Sequence, residues 1–320
     1  MGHPAYRIAV NKSVDRYLFM DLIHFVEKNN LLNIKDAKYY SLGGPFLVDL
    51  KLVHSHYPFL ELNSIEDDKN TFLRQEAHKF CKTINLFNKT SSDFINETEF
   101  SQPAIFWLDY TKLKREYLDD IATLAYKLPQ GSIIKITFNV SRPSTPSAEN
   151  PEDALLSFKS KYSDYLPAKE ISFDQISDQN LYEQLAFEMV ENAAAKLLKE
   201  RKDSVNFDIC DAVTYCDSCK MISITGVLLD KSACDTLKDK LLLEGFSPIQ
   251  LQEINMPDLS VFERHRINQI MPTQNIDELF RVLGYPLERE EREPWTKSLE
   301  KLRLYSRFWH RYPDFVKTSL

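Results

Sequence analysis

The chain has 320 residues, of which 43% are apolar and 12% aromatic, enough for one large domain or two ordinary ones with a sizeable buried core. Its net charge of −7 argues against broad, nonspecific binding to nucleic acid, which needs a clustered excess of Lys and Arg. No run approaches about eighteen apolar residues, and no basic and then apolar leader opens the chain. We therefore expect a cytoplasmic protein that neither spans nor binds a membrane.

The first half of the chain alternates helix-like and strand-like patterns. It opens with an amphipathic helix over 13–29, for which Ser13 is the expected cap. Helical patterns follow at 46–57, 70–80 and 115–128. The strand-like segments are 38–42, 60–65, 83–87, 103–109 and 132–140. Because helices between strands impose parallel pairing, we predict a single parallel sheet within the core 35–140, with helices on both faces.

The organisation changes after the last of these strands. Residues 141–152 are rich in Pro and Ser, which predicts an exposed loop or linker, and 89–102 are expected to form a second polar loop. Helical patterns resume at 152–165 and at 179–201.

Two strands at 207–216 and 220–229 read as an antiparallel hairpin around a tight polar turn. Cys216 and Cys219 flank this turn with the spacing of half a zinc site, but no second close pair exists, so we expect no metal. The rest of the chain is charged and helical, divided by prolines. We accordingly predict a Rossmann-like domain over 1–230 and a helical C-terminal region over 231–320.

Glycine is scarce, with seven in the chain, which makes the pair Gly43 and Gly44 informative. The pair follows the first strand directly, after Leu42, and precedes a helix. A turn without side chains lets backbone N–H groups and the helix N-terminus approach a ligand. Leu42, Gly43 and Gly44 are therefore candidate binding residues.

Acidic residues stand at the ends of neighbouring strands. Glu66 and Asp67 close the second strand about 23 residues after Gly43, a spacing at which a carboxylate can accept ribose hydroxyls of a nucleotide cofactor. The alternative for both is a solvated charge run at a helix N-terminus. Asp93 lies in the polar loop after the third strand.

The fourth strand is an apolar run that ends in Asp109, followed by Tyr110. A carboxylate at the end of such a strand is costly to desolvate, so Asp109 is expected to meet a cation, a donor or a substrate. Tyr110 could contact a ligand through its ring or hydroxyl, or could be an amphipathic wall residue.

The order of elements and these strand ends resemble a class I S-adenosylmethionine-dependent methyltransferase over about residues 13–230. The resemblance implies an α/β fold with a Rossmann-like, mainly parallel seven-stranded sheet that ends in the β-hairpin, plus the helical C-terminal region. One departure is that the two glycines are adjacent and followed by Pro45 and Phe46, whereas the family spaces its glycines along the loop.

The resemblance also assigns roles, with S-adenosylmethionine as the cofactor. The glycine loop would surround its amino-acid part, Glu66 and Asp67 would hold its ribose, and Asp93 would lie near its adenine. Asp109 would orient or deprotonate the methyl acceptor, and Tyr110 would face the sulfonium cation or the substrate.

The pattern is also similar to uncharacterised methyltransferase-like proteins of bacterial defence gene neighbourhoods, which implies a setting in antiviral defence. Two alternatives stay open. One is an inactive Rossmann scaffold that binds a protein partner through its C-terminal helices, which the scarce glycines favour. The other is a nucleotide-processing enzyme that uses the same acidic strand ends.

Basic and aromatic residues are interleaved over 297–317, a mixture that can bind single-stranded nucleic acid. The large apolar and aromatic residues nevertheless recur at helical spacing, which favours docking on the body of the protein or on a partner protein. These residues are Leu302, Tyr305, Phe308, Trp309 and Tyr312.

Overall fold

The structure is a computed structural model that describes residues 9–142, 150–287 and 294–313. Its strands are β1 Lys38–Ser41, β2 Glu61–Ile65, β3 Ile84–Phe87, β4 Ala104–Asp109, β5 Ile133–Asn139, β6 Val205–Cys216, β7 Lys220–Asp230 and β8 Gln252–Ile254. Its α-helices are α1 Val10–Lys28, α2 Val48–His56, α3 Lys69–His78, α4 Ser91–Glu97, α5 Arg115–Lys127, α6 Pro151–Tyr162, α7 Asp174–Ser177, α8 Gln179–Leu198, α9 Lys231–Leu243, α10 Val261–Asn268, α11 Ile276–Leu283 and α12 Pro294–Phe308.

The strands of the described residues form one sheet in the order β3-β2-β1-β4-β5-β7-β6-β8. Strands β1 to β5 pair in parallel, as the alternation of helices and strands predicted. Strand β7 is antiparallel to both β5 and β6, so the predicted hairpin extends the sheet beyond β5. The Rossmann-like architecture is thereby confirmed.

The sheet has eight strands in the described residues, one more than the seven expected. The additional strand β8 pairs in parallel with β6 within a region that we expected to be helical throughout. A strand of three residues is too short to produce a period-two pattern in the sequence. It forms where the edge of β6 is available for pairing.

Strand β4 is buried on both faces, which explains its continuous apolar run. Tyr39, Ile105 and Trp107 face an apolar layer that includes residues of α1, α2 and the C-terminal helices. Phe106 and Leu108 face the opposite layer, formed with α5 and α8. The alternation of side chains along β4 therefore builds both halves of the core.

Helix α1 begins earlier than predicted, and the assignment of Ser13 as its cap is wrong. The N-cap residue is Ala9, whose side chain makes no capping bond, and the Ser13 hydroxyl instead donates to the Ala9 carbonyl at 2.7 Å. The cap comes from the distant hairpin turn. The Asp217 carboxylate accepts from the backbone N–H groups of Asn11 at 3.1 Å and Lys12 at 2.9 Å.

The polar segment after β3, expected to be mainly loop, contains the seven-residue helix α4. Near the C-terminus, Leu302, Tyr305, Phe308 and Tyr312 are buried in the same apolar layer as α1, so α12 and the turn after it dock on the body of the protein. The division at residue 230 remains a prediction.

Within the described residues, no helix combines the length and apolar character needed to cross a bilayer. No group of three His, Cys, Asp or Glu side chains in this part of the chain is arranged to hold a metal ion.

Candidate functional site

A cleft of about 710 Å³ opens at the carboxyl ends of β1, β2 and β4. From β1 the chain proceeds to β2 and β3 on one side and returns to β4 and β5 on the other, so the cleft lies where strand order reverses. Its volume is within the range of small-molecule sites, about 300–1,000 Å³. The predicted residues that line it are Leu42, Gly43, Gly44, Glu66, Asp67, Asp109 and Tyr110.

Both glycines of the loop after β1 adopt left-handed backbone conformations, with φ of +58° at Gly43 and +56° at Gly44. A Cβ on Gly43 would lie 2.1 Å from the Ser64 hydroxyl oxygen, whereas a Cβ on Gly44 would meet nothing within 4 Å. The buried Gln75 amide donates to the Gly44 carbonyl at 3.1 Å and accepts from Ser64 at 3.0 Å. Contacts with β2 and α3 therefore hold the loop in place. The space beside the Gly44 α-carbon remains unfilled.

Glu66 is half-buried at the end of β2, while Asp67 beside it is exposed. Burial raises the pKa of Glu66 to about 7, and the charge of Asp67 adds to the shift, although a hydrogen bond from the Asp68 N–H opposes it. Asp68 caps α3 by accepting from the Thr71 N–H at 2.8 Å. Of these three acids, Glu66 differs most from a solvated surface charge.

The turn after β3 reaches the cleft through residues other than Asp93. Thr90, Ser91 and Ser92 line the cleft, whereas Asp93 is exposed and not among the lining residues. The Asp93 N–H donates to the Thr90 hydroxyl at 3.0 Å, and that hydroxyl donates to the Asp93 carboxylate at 2.8 Å. Asp93 therefore forms the N-terminal cap of α4 together with Thr90.

Asp109 meets a cation. The Lys12 ammonium lies 2.6 Å from an Asp109 carboxylate oxygen, with 2% of the Lys12 side chain and 26% of the Asp109 side chain exposed. The lysine is thus enclosed, and the carboxylate is partly open to the cleft. This ion pair joins α1 to the end of β4 and satisfies the expectation that Asp109 has a partner.

Arg16, one turn further along α1, lines the cleft with Asp49 of α2. The Arg16 Nε lies 2.6 Å from an Asp49 carboxylate oxygen. Burial alone lowers the pKa of Arg16, but the charges of Asp49 and Asp109 outweigh that effect and raise it above its ordinary value. The cleft therefore has a charged inner wall contributed by α1.

This inner wall was missed by the sequence analysis. Arg16 lines the cleft, and Lys12 is buried beside it in the ion pair with Asp109. A signal for Arg16 existed, because it falls within the predicted amphipathic helix. Lys12 lay outside the predicted helix, so its burial was not apparent.

The Tyr110 hydroxyl is engaged with protein groups. It donates to the buried Asp120 carboxylate at 2.6 Å, and the Ser91 hydroxyl donates to the same oxygen at 2.7 Å. The Tyr110 ring stacks on Tyr117 with ring centroids 3.7 Å apart. Burial, followed by the Asp120 charge, raises the pKa of Tyr110 well above its usual range. These contacts match the wall-residue alternative better than a role for the hydroxyl in catalysis.

Comparison with known proteins gives one family match. The model of a family described as "Putative O-methyltransferase" matches residues 4–320. No curated protein sequence matches the chain.

Several solved structures are similar to parts of the chain. The plantazolicin methyltransferase BpumL, in complex with a pentazolic desmethylPZN analog and SAH, is 11% identical over 70% of this chain and 87% of its own, with a TM-score of 0.41. LepI, in complex with SAM, is 13% identical over 60% of this chain, with a TM-score of 0.33. This chain spans 43% of the LepI chain. A methylase structure from Haemophilus influenzae is 15% identical over 42% of this chain and 84% of its own, with a TM-score of 0.31.

Proposed function

Because the chain belongs to the family described as "Putative O-methyltransferase", we propose that it transfers a methyl group from S-adenosylmethionine to an oxygen of an acceptor. The observation that carries this proposal is the cleft at the reversal of strand order, which brings together the glycine loop, the half-buried Glu66 carboxylate and the buried Arg16–Asp49 ion pair.

The residues of the cleft fit the chemical groups of this cofactor. The space beside the Gly44 α-carbon is open to a ligand, and the Arg16 guanidinium is a cation suited to the carboxylate of the amino-acid part. Glu66, as a carboxylate, can accept hydrogen bonds from both ribose hydroxyls. The hydroxyls of Thr90 and Ser92 offer polar contacts to adenine at the next strand end.

When bound, S-adenosylmethionine supplies an electrophilic methyl group on a sulfonium, and the acceptor oxygen loses its proton as the new bond forms. In-line positioning provides most of the acceleration of such a reaction, so few catalytic side chains are needed. Asp109 orients the acceptor hydroxyl by accepting its hydrogen bond, because one side of its carboxylate is open while Lys12 holds the other. Asp109 is also the group that would take the proton.

Calorimetric titration with S-adenosylhomocysteine tests the proposal without a known acceptor. We expect saturable binding at one site per chain. Adenosine should bind more weakly, since it lacks the carboxylate that Arg16 would meet. Absence of binding at millimolar S-adenosylhomocysteine would favour the scaffold alternative instead.

A further inference from the structure

A second pocket of about 440 Å³ lies beside the cleft on the same edge of the sheet. Thr111 lines the cleft, and the next residue, Lys112, lines the second pocket. On its other side is Asn139, the last residue of β5, two residues beyond the Thr137 that pairs with Asp109. The pocket is therefore positioned to hold one end of a molecule whose other end reaches Asp109.

Among the described residues that line this pocket, three are cations and none is Asp or Glu. They are Lys112 from the segment after β4, Arg142 from the segment after β5, and Lys161 from α6. The ion pairs of the described residues include none of the three, although Arg142 donates to the Ser177 carbonyl at 3.1 Å and Lys161 lies over the Tyr162 ring. Such a concentration of positive charge is unusual in a chain with a net charge of −7.

Aromatic rings form part of the remaining wall, contributed by Phe158, Tyr162, Phe173 and Tyr182. Phe158 lies 4.8 Å from Tyr162 and 6.3 Å from Tyr182, measured between ring centroids. The Tyr162 hydroxyl donates to the Leu113 carbonyl at 3.1 Å, which fixes its ring. On α6, residues Ala154, Phe158 and Lys161 follow helical spacing and so present one face to the pocket.

We propose that this pocket binds the anionic end of a partly apolar, ring-containing methyl acceptor, a molecule that carries a phosphate or carboxylate group. The cations would pair with the anion, and the aromatic wall would cover the ring. The identification of the ligand as a methyl acceptor rests on the proposed function. The expectation that the pocket binds a ring-containing anion depends only on the residues that line it.

The test uses 1-naphthyl phosphate and 1-naphthoate as probes, with 1-naphthol as the neutral comparison, in fluorescence titrations of the full chain. Both anions should bind at least about tenfold more tightly than 1-naphthol. The double variant Arg142→Gln/Lys161→Gln should weaken 1-naphthyl phosphate binding by about tenfold or more. Lys159→Gln, on the same helix but outside the pocket, should leave it unchanged. Because all the altered residues are polar, we expect the variants to fold. The melting temperature of each variant checks this.

Repeating the probe titration in saturating S-adenosylhomocysteine shows whether the probe binds in the second pocket or in the cleft. The probe affinity should be unaffected, because the pocket and the cleft are separate. Displacement of the probe, or equal binding of 1-naphthol and the two anions, would overturn the inference. If the cation-dependent binding holds but S-adenosylhomocysteine does not bind, the pocket survives and the proposed methyl transfer does not.

Discussion

At the scale of single residues, the protonation of Glu66 should make cofactor binding depend on pH. Its pKa of about 7 reflects loss of solvent around the carboxylate. Ribose hydroxyls would donate to the charged form, so binding should favour ionised Glu66 and be weakened by its protonation. Affinity for S-adenosylhomocysteine should therefore rise by about tenfold between about pH 6 and pH 8.

The matched variant is Glu66→Gln, which keeps the size of the side chain and removes its titration. Its affinity should be about tenfold weaker than wild type at pH 8 and should show no comparable rise with pH. Glu66→Ala should weaken binding by a similar factor or more. A wild-type dissociation constant that is the same at both pH values would return Glu66 to the role of a solvated charge.

Asp109 is paired with Lys12 and, under the proposed function, orients the methyl acceptor; one pair of variants can separate these two roles. Asp109→Asn removes the charge facing Lys12, whose side chain is 2% exposed, so the free energy of unfolding should fall by about 1–3 kcal/mol. Its affinity for S-adenosylhomocysteine should stay close to wild type if Asp109 serves the acceptor. Thermal melting and calorimetric titration of the same preparation measure both quantities.

The control for Asp109 is the double variant Lys12→Met/Asp109→Leu, which replaces the ion pair by apolar side chains. Such replacements often recover stability, so its melting temperature should approach wild type, while methyl transfer should be lost because position 109 no longer has a carboxylate for the acceptor. An unchanged melting temperature in Asp109→Asn would show that the ion pair does not stabilise the fold. The acceptor role would then be the one remaining role proposed for Asp109.

At the scale of elements, helix α1 depends on a cap supplied by the β6–β7 turn. The Asp217 carboxylate bonds to two N–H groups of the first turn, those of Asn11 and Lys12. Asp217→Ala should lower the free energy of unfolding by about 1–2 kcal/mol, whereas Asp217→Asn should retain much of it because Asn is also a good cap. Urea denaturation of the three proteins checks this order, and equal midpoints would contradict it.

The same element illustrates what the sequence could and could not predict. The five parallel strands and the hairpin were predictable because helical patterns alternate with short strand-like segments in the first half, and a tight polar turn joins the last two strands. The start of α1 was not predictable, because its cap lies 206 residues away from Asn11 in the chain. Local patterns do not contain a contact of that range.

The candidate site was predictable to a similar degree. Glu66 and Asp109 reach the cleft because parallel strands bring their carboxyl ends to one edge. Arg16, which lines the cleft, and Lys12, which pairs with Asp109, were missed because tertiary packing of α1 brings them to this edge. The role of Asp93 stays a prediction: an acid in a polar segment is equally suited to a helix cap, and Asp93 bonds to Thr90 in the first turn of α4.

At the scale of the whole molecule, α1 and the C-terminal helices share one apolar layer against the sheet. The buried residues of α12 thus support the helix that carries Lys12 and Arg16 to the cleft. The opposite layer supports α6, which contributes Lys161 to the second pocket. The layer on one side of the sheet therefore contributes to the wall of the cleft, and the layer on the other side contributes to the wall of the second pocket.

The most direct test of cofactor binding at the strand-order reversal is amide hydrogen exchange with and without S-adenosylhomocysteine. We expect slower exchange in three segments that border the cleft, residues 42–49, 65–68 and 89–92, and no change in the β6–β7 turn. Protection confined to other segments, or none under saturating ligand, would contradict the assignment of this cleft as the cofactor site.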